Sequence, residues 1–283
     1  MELEKYDSPE LREIQDVCFK IFKAFAEVCE KHDIRYYMAY GTLLGTIRHK
    51  GYIPWDDDID VWMPRLDFEK FLEIGQEELP QYVVEYYSVK NSKAFFRWKP
   101  GISIEDQSLK VEFDLDGVKK AGYPWIDILP MDGMPKSKIG RKLDCFRFRI
   151  WYAIISFPRA ANQGVLDLNN KSKAKRMLIK LNDKLGIGRR IDIVRCFDHI
   201  KRFRMKYKFD ECEYVHGSTG VYTDKSVFRR EWFDGNRYGS FEGLKVRIPQ
   251  GTESILKSVY GDYMIPPPVE KRTQSHFTIY KED

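Results

Sequence analysis

Apolar side chains recur at three- and four-residue spacing through Leu11, Ile14, Val17, Cys18, Ile21, Phe22, Phe25, Val28 and Cys29. That repeat places them on one wide face of an α-helix. Ser8 followed by Pro9 marks its start, because proline suits the first helical turn. After His32 and Asp33 the period changes, and Ile34 to Tyr40 reads as a short aromatic strand that Gly41 closes. Leu43, Leu44 and Ile47 then predict a second, short helix. Gly51 and Pro54 punctuate the loop after it. From Asp58 to Met63 polar and apolar positions alternate as in a strand until Pro64 stops it, and Phe68, Phe71 and Leu72 mark a further helix.

Between Tyr82 and Leu129 short strands are predicted around Val83, Phe95, Val111 and Ile126. Residues 1–136 therefore read as an α/β (α+β) core behind an N-terminal helix. Residues 137–211 carry more basic residues and helical spacing, with an apolar run from Ile150 to Phe157 and then Met177, Leu178, Leu181 and Leu185. They read as a helical insertion or second lobe. Residues 212–283 are aromatic and glycine-punctuated, reach an extended Pro266-Pro267-Pro268 stretch, and are expected to pack back on the core.

Composition narrows the classes. With 43% hydrophobic residues in 283, the chain can bury a core of one large or two small domains. Its net charge of +5 is spread along the sequence, too diffuse for a nucleic-acid binder but compatible with phosphate substrates or an anionic membrane. Five cysteines, Cys18, Cys29, Cys145, Cys196 and Cys212, match no zinc or redox spacing, so a reducing cytoplasmic setting is expected. Met1 to Glu10 is polar and acidic, unlike a leader, and no apolar run nears the ~20 residues of a membrane span. A soluble or peripheral protein is expected.

The chemistry concentrates in Trp55-Asp56-Asp57-Asp58-Ile59-Asp60-Val61, where four carboxylates occupy five positions between bulky apolar residues. On a strand Asp58 and Asp60 would share one face while Ile59 and Val61 enter the core. Two carboxylates so close repel unless a cation lies between them, and oxygen donors suit Mg²⁺ or Mn²⁺. Upstream, Gly41-Thr42-Leu43-Leu44-Gly45 sits at a strand-to-helix junction, where backbone amides and a helix N-terminus favour phosphate. Together they suggest phosphoryl transfer, with nucleotide phosphates on one element and the bridging metal on the other. Asp127, a lone acid in Trp125-Ile126-Asp127-Ile128-Leu129, is the expected third carboxylate; Asp114, Asp116 and Asp132 are substitutes.

The run from Tyr40 to Asp60, Tyr-Gly-Thr-Leu-Leu-Gly-Thr-Ile-Arg-His-Lys-Gly-Tyr-Ile-Pro-Trp-Asp-Asp-Asp-Ile-Asp, resembles the signature of the LicD family of phosphocholine transferases, related to fukutin-type proteins. Val259-Tyr-Gly-Asp-Tyr-Met264 with the following prolines, Lys271 and Arg272 is similar to that family's C-terminal motif. The resemblance implies a nucleotidyltransferase fold and a CDP-linked donor such as CDP-choline. It also implies transfer of the phospho-alcohol to a sugar hydroxyl of a teichoic acid or lipopolysaccharide, with CMP released. Carried over, Gly41 and Thr42 match the glycine turn, Asp58 and Asp60 the metal pair, and Asp127 the third acid or general base, with two metal ions engaged. Arg48 and Lys50 would neutralise phosphates. A lipid-linked acceptor would place the enzyme at the inner face of the plasma membrane.

Each reading has a plainer counterpart. The acids could form a solvated or calcium-holding turn, Arg48 and Lys50 surface charges, and Asp127 a structural carboxylate. Tyr36, Tyr37, Trp55, Trp62, Trp98 and Trp125 could cage a quaternary ammonium, or simply fill the core. His276 could orient substrate or lie on the surface. Arg147, Arg149 and Ile150 to Phe157 could lie on a membrane or be buried in the lobe. The rival functions are a nucleotide-sugar glycosyltransferase, a catalytically inactive glycan-binding homologue and a polynucleotide-processing transferase.

Overall fold

A computed structural model describes residues 8–86, 101–115, 118–162, 190–217, 225–272 and 277–280, with a few helical positions between 177 and 186. The strand expected at Phe95, and Trp98, Asp116 and His276, lie outside these residues. The chain is a mixed α/β fold. Helix α1 spans Pro9–Lys31, capped by the Ser8 hydroxyl, which accepts from the Leu11 amide. All nine apolar positions that set its period are buried.

The expected Ile34–Tyr40 strand shortens to β1, Tyr37–Met38, because Tyr40 already opens α2, Tyr40–Arg48. Strand β2, Asp60–Pro64, runs directly into α3, Arg65–Glu78. Then follow β3 (Val83–Glu85), β4 (Ile102–Glu105), β5 (Val111–Leu115), β6 (Val118–Gly122) and the ten-residue β7 (Trp125–Met134). Helices α4 (Lys138–Asn162) and α5 (Ile193–Arg204) follow, and then β8 (Tyr214–Gly217) and β9 (Val227–Arg229). The chain continues through β10 (Arg237–Phe241), β11 (Leu244–Ile248), α6 (Thr252–Tyr260) and β12 (Phe277–Ile279).

The main sheet has the order β1-β2-β7-β4-β3, with β8 and β9 added alongside β7. Among the described residues, only the β2–β7 pairing in it is parallel. Strand β12 joins β5 and β6 in a small separate sheet, and its Phe277 is part of the main apolar cluster. Glu242 and Gly243 turn β10 into β11, both with φ near +50 to +77° as a two-residue hairpin requires. Below the sheet, α1 contributes Phe22 and Phe25, which meet Tyr36, Phe71 and Phe241 edge to face. Burying each such ring contributes about 1.5–3 kcal/mol.

Helices α4 and α5 share their own apolar cluster of Phe148, Ile155, Cys196, Phe197 and Ile200. A buried ion network ties them to the sheet. Arg65 grips Asp132 with two hydrogen bonds of 2.7 and 2.8 Å, while Arg204 bonds Asp144 on α4 and donates to Nδ1 of His216 on β8. Among the described residues no helix is long and apolar enough to cross a membrane.

Candidate active site

Burial alternates along the acidic run even before it becomes a strand. Asp56, Asp58 and Asp60 are half-exposed, whereas Trp55, Asp57, Ile59 and Val61 are buried. Asp58 and Asp60 thus face one side, as extended backbone dictates. The backbone of Asp60 is pinned from α2. Its amide donates to the Thr42 hydroxyl at 2.9 Å, and its carbonyl accepts from Ala39 at 3.0 Å. Helix α1 holds the other end of the run, where Gln15 donates to the Asp56 carbonyl at 2.7 Å and accepts, on its own carbonyl, from the Tyr52 hydroxyl.

Asp127 is Asp60's direct partner across the parallel β2–β7 pair, and Ser103 on β4 is Asp127's partner on its other flank. One row across three strands therefore reads Asp60, Asp127, Ser103. The buried Asp127 carboxylate accepts from the Ser103 hydroxyl at 3.0 Å and from the Trp125 indole at 3.1 Å. Asp57 turns the opposite way from its neighbours and accepts the Phe277 amide at 2.8 Å, which anchors β12 beneath the acidic run. The Phe277 ring stands edge-on to Trp125 at 4.4 Å. Burial, and then the negative charges of Asp57, Asp58, Asp106 and Asp127, push the Cys18 thiol well up, so it stays protonated among the acids.

The glycine turn works through close approach. A Cβ on Gly41 would stand 2.9 Å from an Asp56 carboxylate oxygen, and one on Gly45 would fall on the Gly51 carbonyl oxygen. Gly41 and Thr42 open α2 beside the acids; Arg48 and Lys50 lie at its other end. Arg48 donates to the Tyr263 carbonyl at 2.8 Å, and burial, followed by the charge of Arg272, lowers its pKa. Lys50 is an exposed turn residue with φ 62°, whose carbonyl accepts from Glu242. Arg272 itself stacks its guanidinium over the Trp55 ring at 4.5 Å and donates to the Pro267 carbonyl, so the C-terminal motif reaches the acidic run.

Asp132, a substitute for the third acid, is at the far end of β7 inside the Arg65 and Arg204 network. Asp114 lies on β5, with its side chain outside the described residues. Among the aromatic candidates, Tyr36 and Trp62 are core rings, packed on Phe25 and Tyr40 respectively. Tyr37 spends its hydroxyl on the Phe233 carbonyl. Trp55 and Trp125 flank the acids. Nothing in the sequence points to Ser103 or Phe277, which reach the acids only through tertiary folding, and an isolated serine in Ile-Ser-Ile carries no signal; Cys18 reads there only as part of the apolar face of α1, and Asp57 as one more acid of the run.

No three His, Cys, Asp or Glu side chains among the described residues are gathered closely enough to hold a metal ion by themselves. The donors nevertheless fit Mg²⁺ or Mn²⁺. Mg²⁺ keeps several waters and binds through one or two carboxylates plus substrate phosphates, not through an all-protein cage. Asp58 and Asp60, half-exposed on one side, offer that pair. Elsewhere a cavity of about 270 Å³ is lined by Arg35, Arg237, Arg247 and Tyr37. Its arginines are held by Asp67 and Asp210, by Glu253 and by Glu30, respectively.

Residues 33–145 match the family model described as LicD/FKTN/FKRP, nucleotidyltransferase domain. Over 270 residues the chain is 30% identical to the lipopolysaccharide cholinephosphotransferase LicD of Haemophilus influenzae, covering 94% of this chain and 96% of that one. Shorter matches, 36% over 77 residues and 38% over 78, link it to uncharacterized proteins of Rickettsia typhi and Rickettsia prowazekii, each over 27% of this chain.

Proposed function

The chain belongs to the LicD family, and from that premise we propose that it moves phosphocholine from CDP-choline, or a related CDP-alcohol, to a glycan hydroxyl. The acceptor is a cell-surface glycan of the lipopolysaccharide or teichoic acid kind, and CMP leaves. One observation carries the reading: Asp60 and Asp127 are register partners, with Asp58 two residues away on the same side and the start of α2 against them. Acids so placed beside a helix N-terminus suit a pyrophosphate donor and a divalent ion.

In this reaction the acceptor oxygen forms a bond to the phosphorus bearing choline, the bond from that phosphorus to the CMP oxygen breaks, and the hydroxyl proton passes to a base. Asp127 is the proposed base. Ser103 and Trp125 hold its two oxygens, fixing the carboxylate against rotation. Asp58 and Asp60 would hold Mg²⁺ or Mn²⁺, two ions when donor is present, with Asp127 as third ligand. Bound there, the metal supplies neutralisation of the phosphate charge. Thr42 fixes the Asp60 backbone, and the opening amides of α2 would face the donor phosphates. Arg48, tied to the C-terminal motif beside Arg272, would meet the donor's outer charge from the far end of α2.

Incubating the chain with Mn²⁺, a glycan acceptor and either CDP-choline or UDP-sugars tests this. CMP release with choline appearing on the glycan is expected; UDP release instead would establish the glycosyltransferase alternative. Mn²⁺ binding followed by electron paramagnetic resonance, lost in Asp58→Ala, reads the metal assignment separately from turnover.

A further inference from the structure

Helix α4 buries one face and leaves another bare. Asp144, Cys145, Phe148 and Ile155 turn inward, the last two into the cluster shared with α5. Opposite them stand Ile139, Leu143, Phe146 and Ile150, with 73%, 56%, 58% and 43% of their surfaces exposed. Steps of four, three and four residues keep these side chains in one stripe about three turns long. A single exposed leucine is ordinary; four large apolar groups in register along one helix are not.

The flanks are cationic. At 100° per residue, Lys138, Lys142 and Arg149 line one edge of the stripe and Arg147 the other, all of them exposed. The sole acid between 138 and 162 is Asp144, which is buried and bonded to Arg204. Exposed Met177, Leu181 and Leu185, four residues apart with exposed Lys180 and Lys184 between them, repeat the combination.

We infer that the outer face of α4 docks the protein on an anionic lipid bilayer, lying in the plane of the interface. An apolar stripe bordered by lysine and arginine suits the boundary where acyl chains meet acidic headgroups, with the rings and branched chains inserted and the cations among phosphates. A second copy of the chain is a poorer occupant. In a two-fold contact the stripe would bring Lys138, Lys142, Arg147 and Arg149 against their own counterparts with no acid to offset them. The apolar run Ile150 to Phe157 is divided by this geometry, Ile150 outward and Ile155 inward.

The test is sedimentation of the full chain with vesicles of phosphatidylcholine alone or mixed with about a third phosphatidylglycerol. Binding to the acidic vesicles, weakened by salt and more than about tenfold weaker in Leu143→Asp/Phe146→Asp, is the expected result. Both positions are exposed, so circular dichroism and thermal midpoint should be unchanged. Lys142→Gln/Arg149→Gln provides the second arm, reducing binding to acidic vesicles without altering the apolar stripe. No binding of the wild-type chain to acidic vesicles would overturn the inference. So would equal binding by the aspartate variant, or a concentration-dependent dimer that this variant dissolves without any vesicle association.

Discussion

Asp60 and Asp127 face each other across neighbouring parallel strands, so their carboxylates emerge on the same side of the sheet. They are not equivalent. Asp127 is buried and held by two donors, whereas Asp60 is half-exposed and fixed through its backbone to Thr42. Asp60→Asn is expected to lower turnover by about 10²–10⁴-fold, because the amide keeps the shape and loses the charge that holds a cation. Choline transfer measured beside circular dichroism checks it; wild-type turnover in a folded variant would remove Asp60 from the site.

Ser103 acts on Asp127 and touches no substrate in this reading, which makes it a positioning residue. Ser103→Ala removes one neutral-to-charged hydrogen bond from a buried carboxylate, at a cost of about 1–3 kcal/mol. The expected signature is a fall in kcat of about tenfold, a shifted pH–rate profile and partial recovery in Ser103→Thr. A stability loss with an unmoved pH profile would mean that Ser103 only packs.

These two residues show what a single sequence can reveal. Helix α1 was legible because helical period and burial are the same fact: every position of its apolar face is inside. The alternation through Asp58 and Asp60 was legible for the same reason, although the strand itself starts only at Asp60. Register was not legible. That Asp127 lies against Asp60, and Ser103 against Asp127, depends on which strands become neighbours, and that is decided by the whole core. Asp57 looked like one more acid of the cluster, yet it faces inward to a segment 220 residues later.

The two glycines of the turn should respond differently. In Gly41→Ala the new methyl meets a movable carboxylate of Asp56 at 2.9 Å, so the fold tolerates it while the acidic run shifts and activity drops. In Gly45→Ala the methyl collides with the backbone carbonyl of Gly51, which has no such freedom. Destabilisation of about 1–3 kcal/mol is expected there. Urea unfolding of both variants, with Gly41→Ala the more stable and the less active relative to its fold, would agree; the reverse order would not.

Asp57 tests the closure of the C-terminal segment. Replacing it with Asn leaves an oxygen to accept the Phe277 amide, whereas Ala leaves that buried donor unsatisfied, at about 1–3 kcal/mol. Asp57→Ala should also loosen Phe277 from Trp125 and so the donor that steadies Asp127. Increased hydrogen exchange at 277–279 in Ala and not in Asn is the expected readout. Equal protection in both would mean β12 is held by its pairing to β5 alone.

Stability should fall on the acid side for an identifiable reason. Asp210 and Glu253 are held below their ordinary values of 3.8 and 4.5, chiefly by hydrogen bonds from Arg35 and Arg237. With folded pKa values below unfolded ones, the unfolded chain takes up protons first as pH falls. The stabilisation from these pairs is thus complete above 4.5 and disappears as pH drops through the lowered folded values. Asp144 runs the other way, since burial raises its pKa and protonation then favours the folded form. Arg35 bonds both Asp67 on α3 and Asp210, the latter 175 residues further along the sequence, so Arg35→Met should flatten the acid limb and lower stability at neutral pH by about 1 kcal/mol, these groups being partly exposed. Urea midpoints taken between about pH 7 and pH 3 measure both. An acid limb as steep in Arg35→Met as in the wild type would show that other carboxylates govern acid unfolding.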